Sequence, residues 1–181
     1  MLYDLSEHRH RFAVWAAARA SQRGFTTVEN LRYALEATDI RSAISKPEFF
    51  KLRASEFEAL HRRWCTAICS ALDQREVRNV RYGRAAKLVA VYLKATVIMG
   101  GGADTPVGSS IHPPIDRTLL QKLAASARIL SPHQTAWRKT RWTQLRESEY
   151  YTLIAQLREV VPRDSPFWML EEYWNATEDE E

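Results

Sequence analysis

Helical periodicity along nearly the whole chain is the feature that most restricts the fold. Apolar residues recur at three- to four-residue spacing in the long segments, and no convincing strand-like alternation of apolar and polar residues is present. This spacing places apolar side chains on one face of a helix, which then packs against other helices. A clear example is the stripe Phe57, Leu60, Trp64, Ile68 and Leu72. The sequence therefore predicts an all-α fold of about eight helices, arranged as one compact bundle or as two lobes beside a cleft.

Chain length and the distribution of acids predict the domain organisation. The 181 residues are enough for one domain with a sizeable core. Residues 1–170 hold all 26 lysines and arginines and 16 of the 22 acids, which gives them a net charge of +10. The last eleven residues hold the other six acids. We therefore expect a single helical domain over residues 1–176, followed by a short acidic tail over residues 177–181.

Composition excludes several protein classes. Apolar residues make up 45% and charged residues 27% of the chain, as in soluble globular proteins. The apolar run from Leu88 to Gly102 is interrupted by Lys94 and is short for a bilayer span, and the charged N-terminal region does not read as a signal segment. Two cysteines do not support a disulfide scaffold. These features predict a cytoplasmic protein that does not contact a membrane and has no obligate protein partner.

A concentration of basic residues indicates a polyanionic partner. Residues 75–94 contain one acid, Glu76, and six basic residues, Arg75, Arg78, Arg81, Arg84, Lys87 and Lys94. A basic stripe of this kind attracts nucleic acid, and double-stranded DNA is the partner that we expect. The alternative is a solvated, arginine-rich helical surface with no such partner.

The segment Tyr82-Gly83-Arg84-Ala85-Ala86-Lys87 predicts a glycine turn that opens a helix. A glycine there lets the backbone approach an anion, and the first-turn N–H groups can hold a DNA phosphate, with Arg81 and Arg84 beside it. Lys87 follows about one turn into the helix and precedes apolar residues. A lysine that faces an apolar pocket is more readily neutral, and its free amine is then a nucleophile. The alternative is an ordinary surface lysine on an amphipathic helix.

The segment His112-Pro113-Pro114-Ile115-Asp116-Arg117 predicts an oriented carboxylate at the start of the next helix. The two prolines fix an extended approach, and backbone N–H groups at a helix N-cap keep an aspartate ionised. Such a carboxylate can stabilise an oxocarbenium-like sugar or position a nucleophile. The alternative is a simple capping role for Asp116. Arg117 joins the candidate DNA-binding residues, and residues 100–114, rich in Gly, Ser and Pro, are predicted to form a long irregular loop.

Two tryptophans are candidates for a base-binding pocket. Trp137 and Trp142 lie among basic residues, and an extruded base needs flat faces to stack on and cations for the flanking phosphates. His112 is a further candidate for the same pocket. The alternative for these aromatic side chains is ordinary core packing.

The spacing of His61, Cys65 and Cys69 does not support a metal site. They fall on one face of a predicted helix, but the first and last positions are about 12 Å apart along its axis, too far to enclose one tetrahedral ion. We therefore interpret them as part of a buried stripe. No metal and no cofactor are expected.

Residues 78–125 resemble part of the helix-hairpin-helix DNA glycosylase superfamily. The shared order is a glycine turn, a helix with an early lysine, and Pro-x-Asp at the next helix start, and it is most similar to the archaeal 8-oxoguanine DNA glycosylases. The chain departs from the common Leu-Pro-Gly-Val-Gly hairpin, because Val80-Arg81-Tyr82-Gly83 has one glycine. It also lacks the four-cysteine iron–sulfur loop of the endonuclease III subtype.

The resemblance implies a DNA glycosylase with a helix-hairpin-helix element. Lys87 would be the Schiff-base nucleophile, Asp116 the essential carboxylate and Gly83 part of the DNA-gripping hairpin. With Lys87 as nucleophile, base removal would be coupled to abasic-site lyase activity. With Asp116 activating water, the base alone would be removed. The alternative function is a non-catalytic helical module that binds nucleic acid or another protein.

Overall fold

The computed structural model describes residues 3–22 and 24–174, and 71% of these residues are helical, without strands. The predicted all-α class is confirmed, with about ten helices instead of about eight. The α-helices are α1 Leu5–Gln22, α2 Val28–Glu36, α3 Ile40–Ile44, α4 Ala54–Gln74, α5 Tyr82–Leu93, α6 Pro106–Ser110, α7 Arg117–Ala125, α8 Gln134–Lys139 and α9 Glu147–Arg158. Short 3₁₀-helices cover Pro47–Lys51, Trp142–Gln144 and Phe167–Tyr173, and a π-helix covers Lys94–Gly102. The predicted acidic tail over residues 177–181 lies outside the described residues.

Helix α5 is the central element of the core. It packs along α1 and α4, and ten of its twelve residues are buried, Lys87 among them. The buried apolar side chains of the described residues form one continuous cluster that runs from α1 to the last 3₁₀-helix, where Phe167 and Leu170 dock. A lysine on this helix is therefore surrounded by the core on most sides.

The predicted irregular loop over residues 100–114 is wrong for residues 100–110, whereas residues 111–114 are irregular as predicted. Helix α5 continues directly into the π-helix Lys94–Gly102, and α6 follows after a short turn. The glycines here serve close packing: a Cβ added to Gly102 would lie 2.8 Å from the Phe50 ring, and one added to Gly108 would lie 2.1 Å from the Gly102 carbonyl oxygen. A glycine-rich sequence therefore marks tightly packed helical segments in this region.

Gly83 allows another close approach. Helix α5 begins at Tyr82, one residue before Gly83 and not after it. A Cβ on Gly83 would lie only 2.0 Å from the Trp142 carbonyl oxygen, and the Gly83 N–H donates to the Leu145 carbonyl at 3.1 Å. The 3₁₀-helix Trp142–Gln144 can therefore cover the start of α5 only because residue 83 has no side chain.

The helical segment Tyr82–Gly102, which has non-helical backbone at Gly101, is long and apolar enough to cross a membrane, judged by length and composition alone. It is longer than the apolar run Leu88–Gly102 on which the expectation from the sequence was based. In this fold, 56% of the most apolar window is buried inside the protein, as it is in the core helices of globular domains.

Candidate active site

The structure brings Lys87 and Asp116 together. Lys87 extends from α5, Asp116 caps α7, and their Nζ and Oδ2 atoms are 3.0 Å apart across a sequence separation of 29 residues. The side chains are 8% and 16% exposed. They form a largely buried ion pair that solvent screens only weakly.

Three donors besides solvent orient the Asp116 carboxylate. Its Oδ1 accepts a hydrogen bond from the Leu119 N–H at 2.9 Å, which caps α7 as the sequence predicted. Its Oδ2 accepts from Lys87 Nζ and from the Trp174 indole Nε1 at 3.1 Å. The carboxylate is thus held in one orientation, with the oxygen that faces Lys87 shared between two donors from distant parts of the chain.

Trp142 lies directly beside Lys87. The Lys87 Nζ is 4.7 Å from the centroid of the Trp142 ring, within the range of a cation–π contact. The backbone of Trp142 is fixed in turn by its close contact with Gly83. Of the three predicted base-pocket residues, Trp142 is therefore the one that the structure places against Lys87.

A mainly apolar pocket of about 280 Å³ adjoins the pair and opens to the surface. The pocket contacts small side chains on two packed helices, Ala16 and Ala20 of α1 opposite Val91 and Ala95 of the α5 and π-helix segment. We call this pocket the alanine slot. Its rim is formed by three exposed apolar residues: Phe12, Met99 and Trp174.

A second ion pair, Lys94 with Glu171, lines the alanine slot. Burial raises the pKa of the Glu171 carboxyl, the nearby Asp116 adds to that rise, and the Lys94 ammonium opposes it. The pair joins the π-helix to the last 3₁₀-helix, and so holds Trp174 near Asp116.

The other predicted base-pocket residues lie elsewhere. Trp137 is buried in the core and its Nε1 donates to Gln156 at 3.1 Å, while His112 is 1% exposed. None of the three predicted base-pocket residues, Trp142 included, lines the alanine slot. Core packing, the alternative interpretation given to Trp137 and His112 from the sequence, describes their positions.

The predicted DNA-binding arginines differ in exposure. Arg81 and Arg117 are exposed. Arg84 is half-buried, with its guanidinium 4.2 Å from the centroid of the Phe25 ring and donating to the Ser21 carbonyl, and burial lowers its pKa. Arg81 and Arg117 are therefore the more accessible cations for a phosphate, and the N–H of Gly83 is already bonded within the protein.

His112 belongs to a buried cluster of histidines and tyrosines. Its Nδ1 pairs with the Tyr150 hydroxyl at 3.0 Å, and the Nδ1 of His61 pairs with the Tyr151 hydroxyl at 2.9 Å. Burial lowers the pKa of His61 to about 3 and that of His112 well below its usual value, so both rings are neutral. Cys65 lies against the His61 ring. The described part of the chain contains no group of three or more ligands arranged to hold a metal ion.

The rim of the alanine slot was not predicted from the sequence. Phe12 fits an apolar stripe on α1, yet it is 52% exposed. The one sequence signal for this rim was the density of aromatic residues near the end of the chain, which indicates a docked segment and not a free tail. Trp174 is one of these aromatic residues. The contact from Trp174 to Asp116 spans 58 residues and has no local sequence signature.

Comparison with protein families, with curated protein sequences and with solved structures finds no match to this chain. The function of the site is therefore inferred from its geometry, from the charge of the chain and from the motif resemblance of residues 78–125.

Proposed function

We propose that the protein is a DNA glycosylase that extrudes and excises a damaged or modified base, with abasic-site lyase activity through Lys87. The observation that carries this proposal is the 3.0 Å contact between Lys87 Nζ and Asp116 Oδ2 at the edge of a pocket open to the surface. Attack on an anomeric carbon requires a nucleophile and a carboxylate, and an amine in contact with a carboxylate supplies both groups.

The surroundings of Lys87 favour nucleophilic chemistry. Its amine must lose a proton before it can attack, and Asp116 is a proton acceptor within hydrogen-bond distance. When a substrate displaces water from the apolar slot, the charged forms of both groups lose solvation, which favours transfer of the proton to Asp116. Trp174 Nε1, the other donor to Asp116 Oδ2, keeps the carboxylate oriented while the contact between Asp116 and Lys87 changes.

The reaction then proceeds in four balanced steps. The bond between C1′ and the base breaks, the base leaves with the electron pair and takes up a proton, and the neighbouring carboxylate offsets the positive charge on the sugar. The Lys87 amine forms a bond to C1′ and releases a proton. Opening of the sugar at the C1′–O4′ bond, with protonation of O4′, gives an imine. Loss of a C2′ proton then expels the 3′ phosphate by β-elimination.

The size and polarity of the alanine slot suit one nucleobase. Pockets for drug-sized ligands are roughly 300–1,000 Å³, and the slot, at about 280 Å³, lies just below that range. Its apolar walls suit the faces of a planar ring, and the exposed Phe12 and Trp174 at the rim offer surfaces on which a base can stack. The Lys94–Glu171 pair supplies a donor and an acceptor for the polar edge of the ring.

Charge supports DNA as the partner. Residues 1–170 carry a net charge of +10, and duplex binding depends on lysines and arginines that neutralise phosphates. The exposed Arg81 precedes the helix of Lys87, and the exposed Arg117 follows Asp116 directly. Both cations are thus adjacent in sequence to the elements that hold the reacting pair. The helix-hairpin-helix element implied by the resemblance remains part of this proposal.

The test combines two measurements on the purified protein. Borohydride trapping on duplexes that carry an abasic site or one of a panel of modified bases detects the imine, and free-base release is measured on the same panel. The variants are Lys87→Gln and Asp116→Asn, with Lys51→Gln, an exposed lysine on another segment, as the matched control. We expect a covalent adduct in wild type and in Lys51→Gln, and none in Lys87→Gln.

The outcomes separate the alternatives. Base release that survives Lys87→Gln but not Asp116→Asn assigns water activation to Asp116 and removes the lyase step. Absence of both adduct and base release across the panel, together with ordinary DNA affinity, contradicts the enzyme and supports a non-catalytic nucleic-acid-binding module.

A further inference from the structure

Met99 is the most exposed apolar side chain on the rim of the alanine slot. It is 71% exposed, compared with 52% for Phe12 and 43% for Trp174. The other two have partners within the protein: Phe12 packs on Trp15 with ring centroids 6.0 Å apart, and Trp174 hydrogen-bonds to Asp116. Together with Phe12 and Trp174, Met99 forms an exposed apolar patch at the slot, and such patches mark interaction sites.

The backbone beneath Met99 is firmly supported. Met99 belongs to the π-helix that continues α5, and π-helical segments occur often at functional sites. Val97 is 1% exposed, and Gly102 packs so closely on the Phe50 ring that a Cβ would lie 2.8 Å from it. Met99 therefore extends from a segment that is packed against the core on both sides of it.

A cation lies next to this position. The Arg9 guanidinium contacts Gly100, where an added Cβ would lie 3.0 Å from Arg9 Nη1. The adjacent Gly101 is exposed, has a φ of 95° and has open space around it. A duplex with an extruded nucleotide has a gap in its base stack next to a phosphate. The apolar Met99 side chain matches the gap and the Arg9 guanidinium matches the phosphate, while the backbone at Gly101 is unobstructed.

We propose that Met99 is the wedge that enters the duplex and fills the space left by the extruded nucleotide. This inference rests on the proposed function, since a wedge is useful only when a base leaves the stack. Met is one of the apolar residues that proteins insert between base steps, and the insertion offsets the unstacking that extrusion requires. Arg9 then binds a phosphate near the gap, and the base enters the alanine slot.

The test uses DNA on which Lys87 has no chemistry to perform. A duplex carries a tetrahydrofuran abasic analogue opposite 2-aminopurine, whose fluorescence rises when it is unstacked. We expect saturating wild-type protein to raise this fluorescence. Met99→Ala should lose most of the rise while its Kd for the duplex changes by less than about three-fold, because the phosphate contacts remain.

Three further variants sharpen the comparison. Met99→Leu keeps an apolar wedge and should retain the rise. Met169→Ala removes another exposed methionine, 43% exposed and lining a different pocket, and should behave as wild type. Arg9→Gln should weaken binding but leave the fluorescence at saturation unchanged, since it removes only a phosphate contact.

The two proposals fail in different ways. A fluorescence rise in Met99→Ala equal to that of wild type, or wild-type binding without any rise, overturns the wedge. If Met99→Ala loses the rise while Met99→Leu and Met169→Ala keep it, the wedge is supported. This holds even where the absence of a borohydride adduct in wild type contradicts the lyase chemistry. Where base release is measurable, Met99→Ala should slow it about ten-fold for a paired target and much less for an unpaired one.

Discussion

The Lys87–Asp116 pair places two substitutions in sharp contrast. Asp116→Ala removes the α7 cap, which costs about 1 kcal/mol, and it takes the carboxylate from a buried ammonium, a change that costs about 3–5 kcal/mol in buried pairs. The Lys87 and Asp116 side chains are 8% and 16% exposed, so screening reduces this cost only slightly. We expect a loss of about 4 kcal/mol in the free energy of unfolding.

Removing both charges should behave differently. Methionine has a similar length to lysine and suits the apolar slot, so the double variant Lys87→Met with Asp116→Ala leaves neither charge buried without its partner. Replacement of a whole buried ion pair by uncharged side chains is often neutral or stabilising, so we expect the double variant to lose only the contribution of the α7 cap, about 1 kcal/mol. Lys87→Met should also abolish the borohydride adduct.

Urea unfolding followed by circular dichroism measures both effects, with equal m-values as the condition for comparing them. Thr27→Ala is the matched control, because Thr27 caps α2 by accepting from the Asn30 N–H at 3.1 Å and belongs to no ion pair. It should cost about 1 kcal/mol. If Asp116→Ala costs no more than Thr27→Ala, or if the double variant is as damaging as Asp116→Ala alone, the two residues are not a coupled buried pair and the reasoning is refuted.

Three further predictions concern the scaffold. Gly83→Ala should destabilise the protein by about 1–3 kcal/mol in urea unfolding, since its Cβ would meet the Trp142 carbonyl oxygen; an unchanged midpoint would contradict this packing. Acidification from pH 7 to pH 5 should lower the free energy of unfolding, because His61 stays neutral in the fold and protonates near pH 6.5 once unfolded. His61 should account for about 2 kcal/mol of this loss, and His61→Gln should flatten the dependence of the free energy of unfolding on pH. Burial raises the pKa of Cys69 to about 11 and that of Cys65 well above its usual value, so both thiols should react slowly with Ellman's reagent at pH 8 until urea is added.

Local sequence signals predicted the parts of the site that depend on local structure. The cap at Asp116 follows from an aspartate after two prolines, and the position of Lys87 follows from the helix predicted after Gly83, although that helix begins at Tyr82. Such features depend on a few neighbouring residues, whose backbone preferences are strong. The all-α class follows in the same way from the apolar spacing of each segment.

The parts that depend on distant contacts were not predictable. Glycine favours turns and loops, but at Gly102 and Gly108 the absence of a side chain serves the close packing of helical segments. The alanine slot exists because small residues of α1 meet small residues of the α5 and π-helix segment, and no property of either helix alone shows this pairing. The exposed rim residues Met99 and Trp174 are recognised only once the slot is known.

The alanine slot and the buried ion pair are both unfavourable for stability, and they occur at one place. Protein interiors are normally packed without voids, and buried ion pairs add little stability compared with apolar residues. A site that departs from both tendencies is retained for function when stability and activity conflict. Ala16→Leu, which fills the slot and leaves the ion pair intact, should therefore have a higher Tm than wild type, bind DNA through the same arginines and release no base. An Ala16→Leu variant that unfolds at a lower temperature than wild type would show that the open slot does not reduce the stability of the fold, and the active-site proposal would lose its thermodynamic support.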